Sequence, residues 1–380
     1  NYNLEGFAIN GLKFIKKVGA GTYGLIYTVE DSNGAQFAAK MVLKYTLGSN
    51  VAENKRYIER SLHRYFEEYP NGSVDEINLA MIARDGVHCP FLKEIALHLR
   101  AHQHPNVMTI HKVLNLGDLA IMTVMDYFEQ GDLFTNIIDN QLFQKCPPQN
   151  QQLLMKNAML QLIEAIQYLH ENNIYHCDLK PENIMIHYSP DYVRPSAGTI
   201  SPSSSSSTLE LAPSIIDFNE IHLVLIDFGL AMEDDLICCN ACRGSSFYMA
   251  PERVVNFNTN NHIQNIINLT QYVELPSTSK TCSLYFPTLA GDIWSLGVLF
   301  INIACSRNPW PIASIADKSD VNNDVFKTYI FHNRNILRSI LPISGQFNKL
   351  LDRVFQLSPN DRIPLKVLYD NIAVCDFFQD

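Results

Sequence analysis

Three short runs near the start of the chain, "LKFIKKV" (12–18), "GLIYTVE" (24–30) and "QFAAKMVL" (36–43), have strand composition and are separated by glycine-containing turns. All three read as strands, and "AIMTVMDY" (120–127) is a further apolar strand candidate. Between them, "FLKEIALHLR" (91–100) sets Leu92, Ile95, Ala96 and Leu99 on one helical stripe that the "HPN" triplet (104–106) ends. After Gly131 the pattern turns helical, and "LLMKNAMLQLIEAIQYLH" (153–170) is its strongest amphipathic run. Strands followed by helices predict an α+β chain of two lobes: a small β-rich one with one main helix, about 10–128, and a larger helical one, 129–380.

Three stretches read as insertions. Residues 46–90 hold a polar, partly helical segment, 189–214 hold "SPSSSSSTLELAPS", and 254–288 are rich in Asn and Thr. The serine run has too little apolar surface to offset the entropy of ordering and is expected to be a mobile loop. With 47% hydrophobic residues the chain can bury sizeable cores. Its longest apolar stretches, such as "LGVLFINIAC" (296–305), fall short of the roughly 18 residues of a membrane span, and no charged-then-apolar leader opens it, so a soluble protein is expected. A net charge of -10 argues against a nucleic-acid surface. Nine scattered cysteines, an odd number, favour reduced thiols in the cytoplasm or nucleus.

Polar motifs punctuate this frame. "GAGTYG" places Gly19, Gly21 and Gly24 between two strands, where side-chain-free residues let backbone N–H groups approach phosphates, although a tight turn needs the same residues. Strand rather than helix follows, so this is not a dinucleotide fingerprint. Lys40 lies inside an apolar strand and needs a partner there. In "IYHCDLKPENIM" (174–185), Asp178 can accept a proton, Lys180 can neutralise a phosphoryl group, and Asn183 offers an oxygen to a divalent cation. Asp227 in "VLIDFGLA" (224–231) follows a buried strand, a costly place for a carboxylate without a cation. Any one of these also fits a cap or a turn.

Their order is what carries information. A glycine loop, a strand lysine, "HCDLKPEN", "DFG" and "APE" (250–252) follow one another as they do in protein kinases, and over residues 10–375 the chain resembles a eukaryotic-type Ser/Thr protein kinase. The resemblance implies the bilobal kinase fold with an ATP cleft, Mg²⁺ bridging the phosphates, and protein substrates bearing Ser or Thr acceptors. By the same resemblance Gly19, Gly21 and Gly24 cover the phosphates, and Lys40 holds them while paired with Glu94. Met125 is the gatekeeper, the backbones of Asp126 and Phe128 face the adenine, Asp132 lies near the ribose, and Ile26, Ala38 and Met185 sandwich the base. Asp178 is the base, Lys180 the phosphate-stabilising cation, and Asn183 and Asp227 are the metal ligands. Glu252 and Arg362 match an ion pair that braces the helical lobe, and Asp292 in "DIWSLG" an acid that holds the catalytic loop. "GSSFYMAPER", "GDIWSLGVLFINIACSRNPW" and "ILPIS" further resemble the fungal Ran/Pat and Sks/Vhs branch of nutrient-signalling kinases, which implies a role in carbon or cell-cycle control. A monomer without nucleic-acid or membrane partners is the accompanying expectation. The alternative is a pseudokinase scaffold that binds nucleotide and partners without transfer.

The sequence departs from that pattern at one informative place. Cys177 stands where kinases switched on by activation-loop phosphorylation carry an arginine that pairs with the phosphate. The loop itself, "LAMEDDLICCNACR" (230–243), has no Ser, Thr or Tyr. Both the phosphate and its receptor are absent, so activity without loop phosphorylation is expected, with Glu233, Asp234 and Asp235 supplying fixed charge that pairs with Arg243 or another cation. Ser245, at a position where the family has Thr touching the base and the cation, favours Ser/Thr substrates. His98 reads as a half-buried histidine with a satisfied hydrogen bond, and Cys238, Cys239 and Cys242 as a weak metal signal.

Overall fold

Alternation in the first strands sorts their side chains onto two faces, one of them wholly apolar. Leu12 and Phe14, then Leu25, Tyr27 and Val29, then Ala39, Met41 and Leu43 are buried in a single cluster. A computed structural model describes residues 1–20, 24–193, 216–254, 257–276, 282–315 and 324–380, so Gly21 and the serine run 201–208 lie outside the described residues. The chain divides into two compact units, Asn1–Glu129 and Gln130–Asp380.

The first unit is a six-stranded sheet of order β1-β2-β3-β4-β6-β5. Its strands are β1 (Ala8–Ile9), β2 (Leu12–Ala20), β3 (Gly24–Glu30), β4 (Gln36–Leu43), β5 (Ile110–Leu116) and β6 (Ala120–Asp126), all paired antiparallel. Three helices accompany it: α1 (Val51–Glu68), α2 (Leu79–Asp85) and α3 (Lys93–Leu99). α1 lies in the stretch read as a polar insertion, yet Ile58, Leu62 and Phe66, four residues apart, form one stripe that joins the sheet core. Phe66 meets Phe14 edge-on with ring centroids 5.0 Å apart. Full burial of each such side chain stabilises by about 1.5–3 kcal/mol, so α1 is part of this core rather than an appendage. Asn50 caps the helix by accepting the Glu53 N–H, and Pro70 and Gly72 follow its end.

The second unit is mainly helical: α4 (Leu133–Ile138), α5 (Leu142–Lys145), α6 (Pro148–Glu171), α7 (Asn261–Ile266), α8 (Thr288–Cys305), α9 (Asp324–Phe331), α10 (Ile336–Ile340), α11 (Gly345–Val354) and α12 (Leu365–Val374). A two-stranded ribbon pairs β7 (Ile184–Tyr188) with β8 (Ile221–Leu225), and a three-stranded sheet has the order β10-β11-β9, from β9 (Leu236–Cys238), β10 (Val273–Pro276) and β11 (Cys282–Pro287). α8 corrects the estimate of apolar length: among the described residues it is the one helix whose 18 residues and hydropathy would suffice to cross a membrane, but 89% of it is buried inside the protein. Trp294 on this helix packs against Phe355, Trp310 and Phe326, the nearest ring centroid 5.0 Å away.

Candidate active site

Loop residues become rigid only when their backbone groups find partners. Between α6 and β7 the N–H groups of residues 172–178 all have such partners. Tyr175 exchanges two backbone hydrogen bonds with Met232, at 2.9 and 3.0 Å. Asp292, buried on α8, accepts the N–H groups of His176 and Cys177, each at 3.0 Å. Burial raises the pKa of Asp292, and the Arg253 guanidinium pulls it the other way. His176 accepts the Asp178 N–H at Nδ1 (3.2 Å), which leaves its proton on Nε2 to donate to the Ile226 carbonyl (2.9 Å). One imidazole thus ties Asp178 to the residue before Asp227. The sequence reading passed over His176, although it sits inside the quoted motif.

Four of the expected residues converge here. Ser245 donates its hydroxyl proton to Asp178 Oδ1 and accepts from Lys180 Nζ, both at 2.9 Å. Lys180 Nζ lies 3.8 Å from Asp178 Oδ2. Asn183 donates its amide N–H to the Asp178 carbonyl (2.8 Å) and to Oδ2 (3.2 Å), so its amide oxygen is the atom suited to a cation. The Asn183 carbonyl accepts the Ile226 N–H at 2.9 Å, bringing the turn that carries Asp227 alongside. Asp227 is exposed and its Oδ1 accepts the Gly229 N–H at 3.1 Å. Cys177 and Asp227 both have left-handed backbones, φ 65° and 60°. Non-glycine residues pay for this conformation, and such strain collects at functional sites.

A carboxylate and an amide oxygen are hard donors. Two protein ligands of this kind fit a Mg²⁺-like cation that takes its other ligands from water and phosphate. Among the described residues no group of three His, Cys, Asp or Glu is placed to hold a metal ion.

In the first unit, register does the positioning. Ile26 pairs with Lys40, Thr28 with Ala38, and across β4 Lys40 with Thr123 and Ala38 with Met125. Directly opposed residues share a face, so Ile26, Ala38, Lys40 and Met125 line the side of the sheet opposite the core. Lys40 Nζ donates to Glu94 Oε1 on α3 at 2.8 Å. Gly24 is required by packing: a Cβ there would stand 2.2 Å from the Met41 carbonyl oxygen. Gly19 has open space around it, and the bulge between Lys17 and Gly19 carries Val18, an apolar residue 50% exposed that the sequence reading missed. Asp126 ends β6, donates its N–H to the Thr109 carbonyl (3.3 Å), and pairs with His111 at 2.5 Å; Phe128 follows within the same unit.

Elsewhere Asp132 and Met185 form a backbone bridge in the second unit, and Asp132 Oδ1 caps α4 through the Thr135 N–H at 2.7 Å. Its carboxylate therefore already has a structural task. Glu252 and Arg362 form a buried two-pronged pair, both contacts 2.7 Å. His98 is buried more deeply than read and bonds the Met108 carbonyl at 2.7 Å. The expected pairing of Arg243 with nearby acids gives way to another arrangement: its guanidinium donates to the carbonyls of Leu230 (2.6 Å) and Ala231 (3.2 Å).

Comparison with known proteins agrees with this geometry. The family model of the protein kinase domain matches residues 83–267. Among curated proteins, the chain is 32% identical to the serine/threonine-protein kinase VHS1 of Saccharomyces cerevisiae, over 96% of this chain and 70% of that protein. It is 30% identical to the serine/threonine-protein kinase SKS1 of the same yeast, over 97% of this chain and 66% of the relative. The negative regulator of sexual conjugation and meiosis of Schizosaccharomyces pombe is also 30% identical, over 96% of this chain and 60% of its own length. With Asp178, Lys180 and Asn183 gathered at one place and nearly the whole of this chain matched by curated relatives at 30% identity or more, this chain belongs to the eukaryotic Ser/Thr protein kinases, in the branch of the fungal Sks and Vhs enzymes.

Proposed function

We propose that the chain transfers the γ-phosphoryl group of MgATP to Ser or Thr hydroxyls of protein substrates. The observation that carries this reading is the Ser245 hydroxyl, held at 2.9 Å from both Asp178 and Lys180. A base and a cation spaced to grip one hydroxyl oxygen can grip an acceptor hydroxyl in the same way. Asp178 takes the proton as the acceptor oxygen bonds to phosphorus, and Lys180 offsets charge on the phosphoryl oxygens while the bond to the ADP oxygen breaks. Asn183 and Asp227 would hold Mg²⁺, which would supply positive charge against that of the phosphates. Lys40, paired with Glu94, would hold the α- and β-phosphates, and the family resemblance gives Gly19, Gly21 and Gly24 the role of covering them. By the family resemblance Ile26, Ala38 and Met185 would serve the adenine, the backbones of Asp126 and Phe128 its edge, and Asp132 the ribose.

Likeness to VHS1, SKS1 and a regulator of conjugation and meiosis supports fungal nutrient or cell-cycle signalling as the setting; a monomer in the cytoplasm, the nucleus or both belongs to the same proposal. Lys40, Asp178, Asn183 and Asp227 are all present, so no observation favours a scaffold without transfer. The absence of hydroxyl side chains from Leu230 to Arg243 supports activity without loop phosphorylation. Protein made in bacteria and stripped by a phosphatase should phosphorylate a Ser/Thr peptide array in Mg²⁺ and ATP as fast as untreated protein. Silence on every peptide with nucleotide bound would refute transfer. A loss on stripping that ATP preincubation restores would refute independence from phosphorylation.

A further inference from the structure

The segment between Asp227 and Glu252 is fastened along its length. β9 pairs with β11, matching Ile237 with Phe286 and Leu236 with Pro287. Cys239 donates to the Leu284 carbonyl, Asn240 to that of Glu252, and Cys242 to that of Arg253, at 2.8 to 3.0 Å. Thr288 donates its N–H to the Asp235 carbonyl (2.9 Å) and its hydroxyl to that of Asp234 (2.7 Å). β11 comes from the Asn- and Thr-rich stretch that the sequence marks as an insertion. The insertion therefore supplies the strand on which the segment is laid.

One side chain spans what those backbone bonds leave apart. From the descending arm of the segment, Arg243 reaches back to the Leu230 and Ala231 carbonyls, immediately after the Asp227 turn. Its positive charge acts on the neighbouring Cys177 thiol, next to Asp178, and works against the larger upward effect of burial on that thiol. Gly244, at φ 120°, presses so closely on the catalytic loop that a Cβ would lie 2.8 Å from the Cys177 carbonyl oxygen. Ser245 then meets Asp178 and Lys180. Where a phosphate-dependent kinase joins the catalytic loop to the segment through an arginine before the aspartate, this chain has a cysteine on the loop and an arginine on the segment.

We propose that Arg243 is a positioning residue for transfer: by tying the chain just after the Asp227 turn to the Gly244–Ser245 step, which itself packs on Cys177 and bonds Asp178 and Lys180, it holds those two residues in register with the segment and makes a loop phosphate unnecessary. The inference rests on the reading of Asp178 as proton acceptor. A guanidinium suits the task because its fork of donors serves several acceptors at once and keeps its charge at every physiological pH.

The test compares the phosphatase-stripped full chain with Arg243→Met and Arg243→Lys. Misplacing reacting groups by about 1 Å can cost on the order of 100-fold, so Arg243→Met should lower kcat at least about tenfold, with the KM for ATP changed by less than about threefold. Arg243→Lys, which keeps a donor and the charge, should recover part of that loss. A kcat for Arg243→Met within about twofold of wild type would overturn the proposal. So would equal losses in both variants tracking a loss of folded protein in thermal unfolding, since that pattern marks a merely structural role. Amide hydrogen exchange separates this inference from the kinase reading. Protection at 230–245 should fall in Arg243→Met even if no peptide is ever phosphorylated, and unchanged protection there would sink the proposal whatever the activity.

Discussion

Removing one partner of the Glu252–Arg362 pair offers a direct measure of how the second unit is held. The Arg362 guanidinium meets both Glu252 oxygens at 2.7 Å and also donates to the carbonyls of Ala290 and Gln356, both at 3.0 Å. Both side chains are essentially inaccessible, at 0% and 1%. Glu252→Gln keeps the shape but leaves a buried guanidinium without its anion, a change that costs about 3–5 kcal/mol. With a urea m-value of about 3 kcal/mol/M, the unfolding midpoint should fall by roughly 1–2 M. The chain has two tryptophans, and both report on this unit: Trp294 lies 4.9 Å beneath the Arg362 guanidinium and 5.8 Å from Trp310. Their fluorescence follows the transition directly. Replacing both partners at once, Glu252→Leu with Arg362→Met, should cost less than the sum of the single changes, because neither charge is then stranded. A shift below about 0.3 M for Glu252→Gln, or strict additivity in the cycle, would refute the view that the pair is desolvated and mutually dependent.

Asp178→Asn and Lys40→Met should each lower peptide phosphorylation by about 10²–10⁴ while leaving the tryptophan-detected unfolding midpoint in place; more than about a tenth of wild-type activity in either would remove that residue from the mechanism. Deleting Ser201 to Thr208 should leave kcat and KM nearly unchanged, since each doubling of loop length costs only about 0.6 kcal/mol, and a large kinetic change would show that the serine run takes part in the site. Burial pushes the Cys177 thiol up to about 12, with Asp292 adding to the effect, so alkylation followed by peptide mass mapping should modify exposed Cys242 well before Cys177. The reverse order would contradict the burial described for the catalytic loop.

What could be read in the sequence depended on how far apart the interacting residues lie. β2, β3, β4 and β6 announce themselves by composition and turn residues because each signal is complete within about eight residues. The Lys40–Glu94 pairing was legible for a different reason: a lysine in an apolar strand needs an anion, and Glu94 stands on the helical run just before "HPN". α1 was read from its mean polarity, whereas burial follows the stripe of Ile58, Leu62 and Phe66, which three residues suffice to make. The β9–β11 pairing left no comparable trace. "LIC" is too short to be periodic, and its partner lies 49 residues further on, from Phe286 to Ile237, so neither run encodes the register. Arg243 fails in an instructive way. Counting charges directs it to Glu233, Asp234 and Asp235, but an exposed ion pair is worth only about 0–1 kcal/mol. Successive carbonyls outside any helix or strand need donors, and Leu230 and Ala231 provide two for one guanidinium. Backbone demand therefore outweighed formal charge in deciding where this side chain went, and a reading confined to side-chain types could not register it.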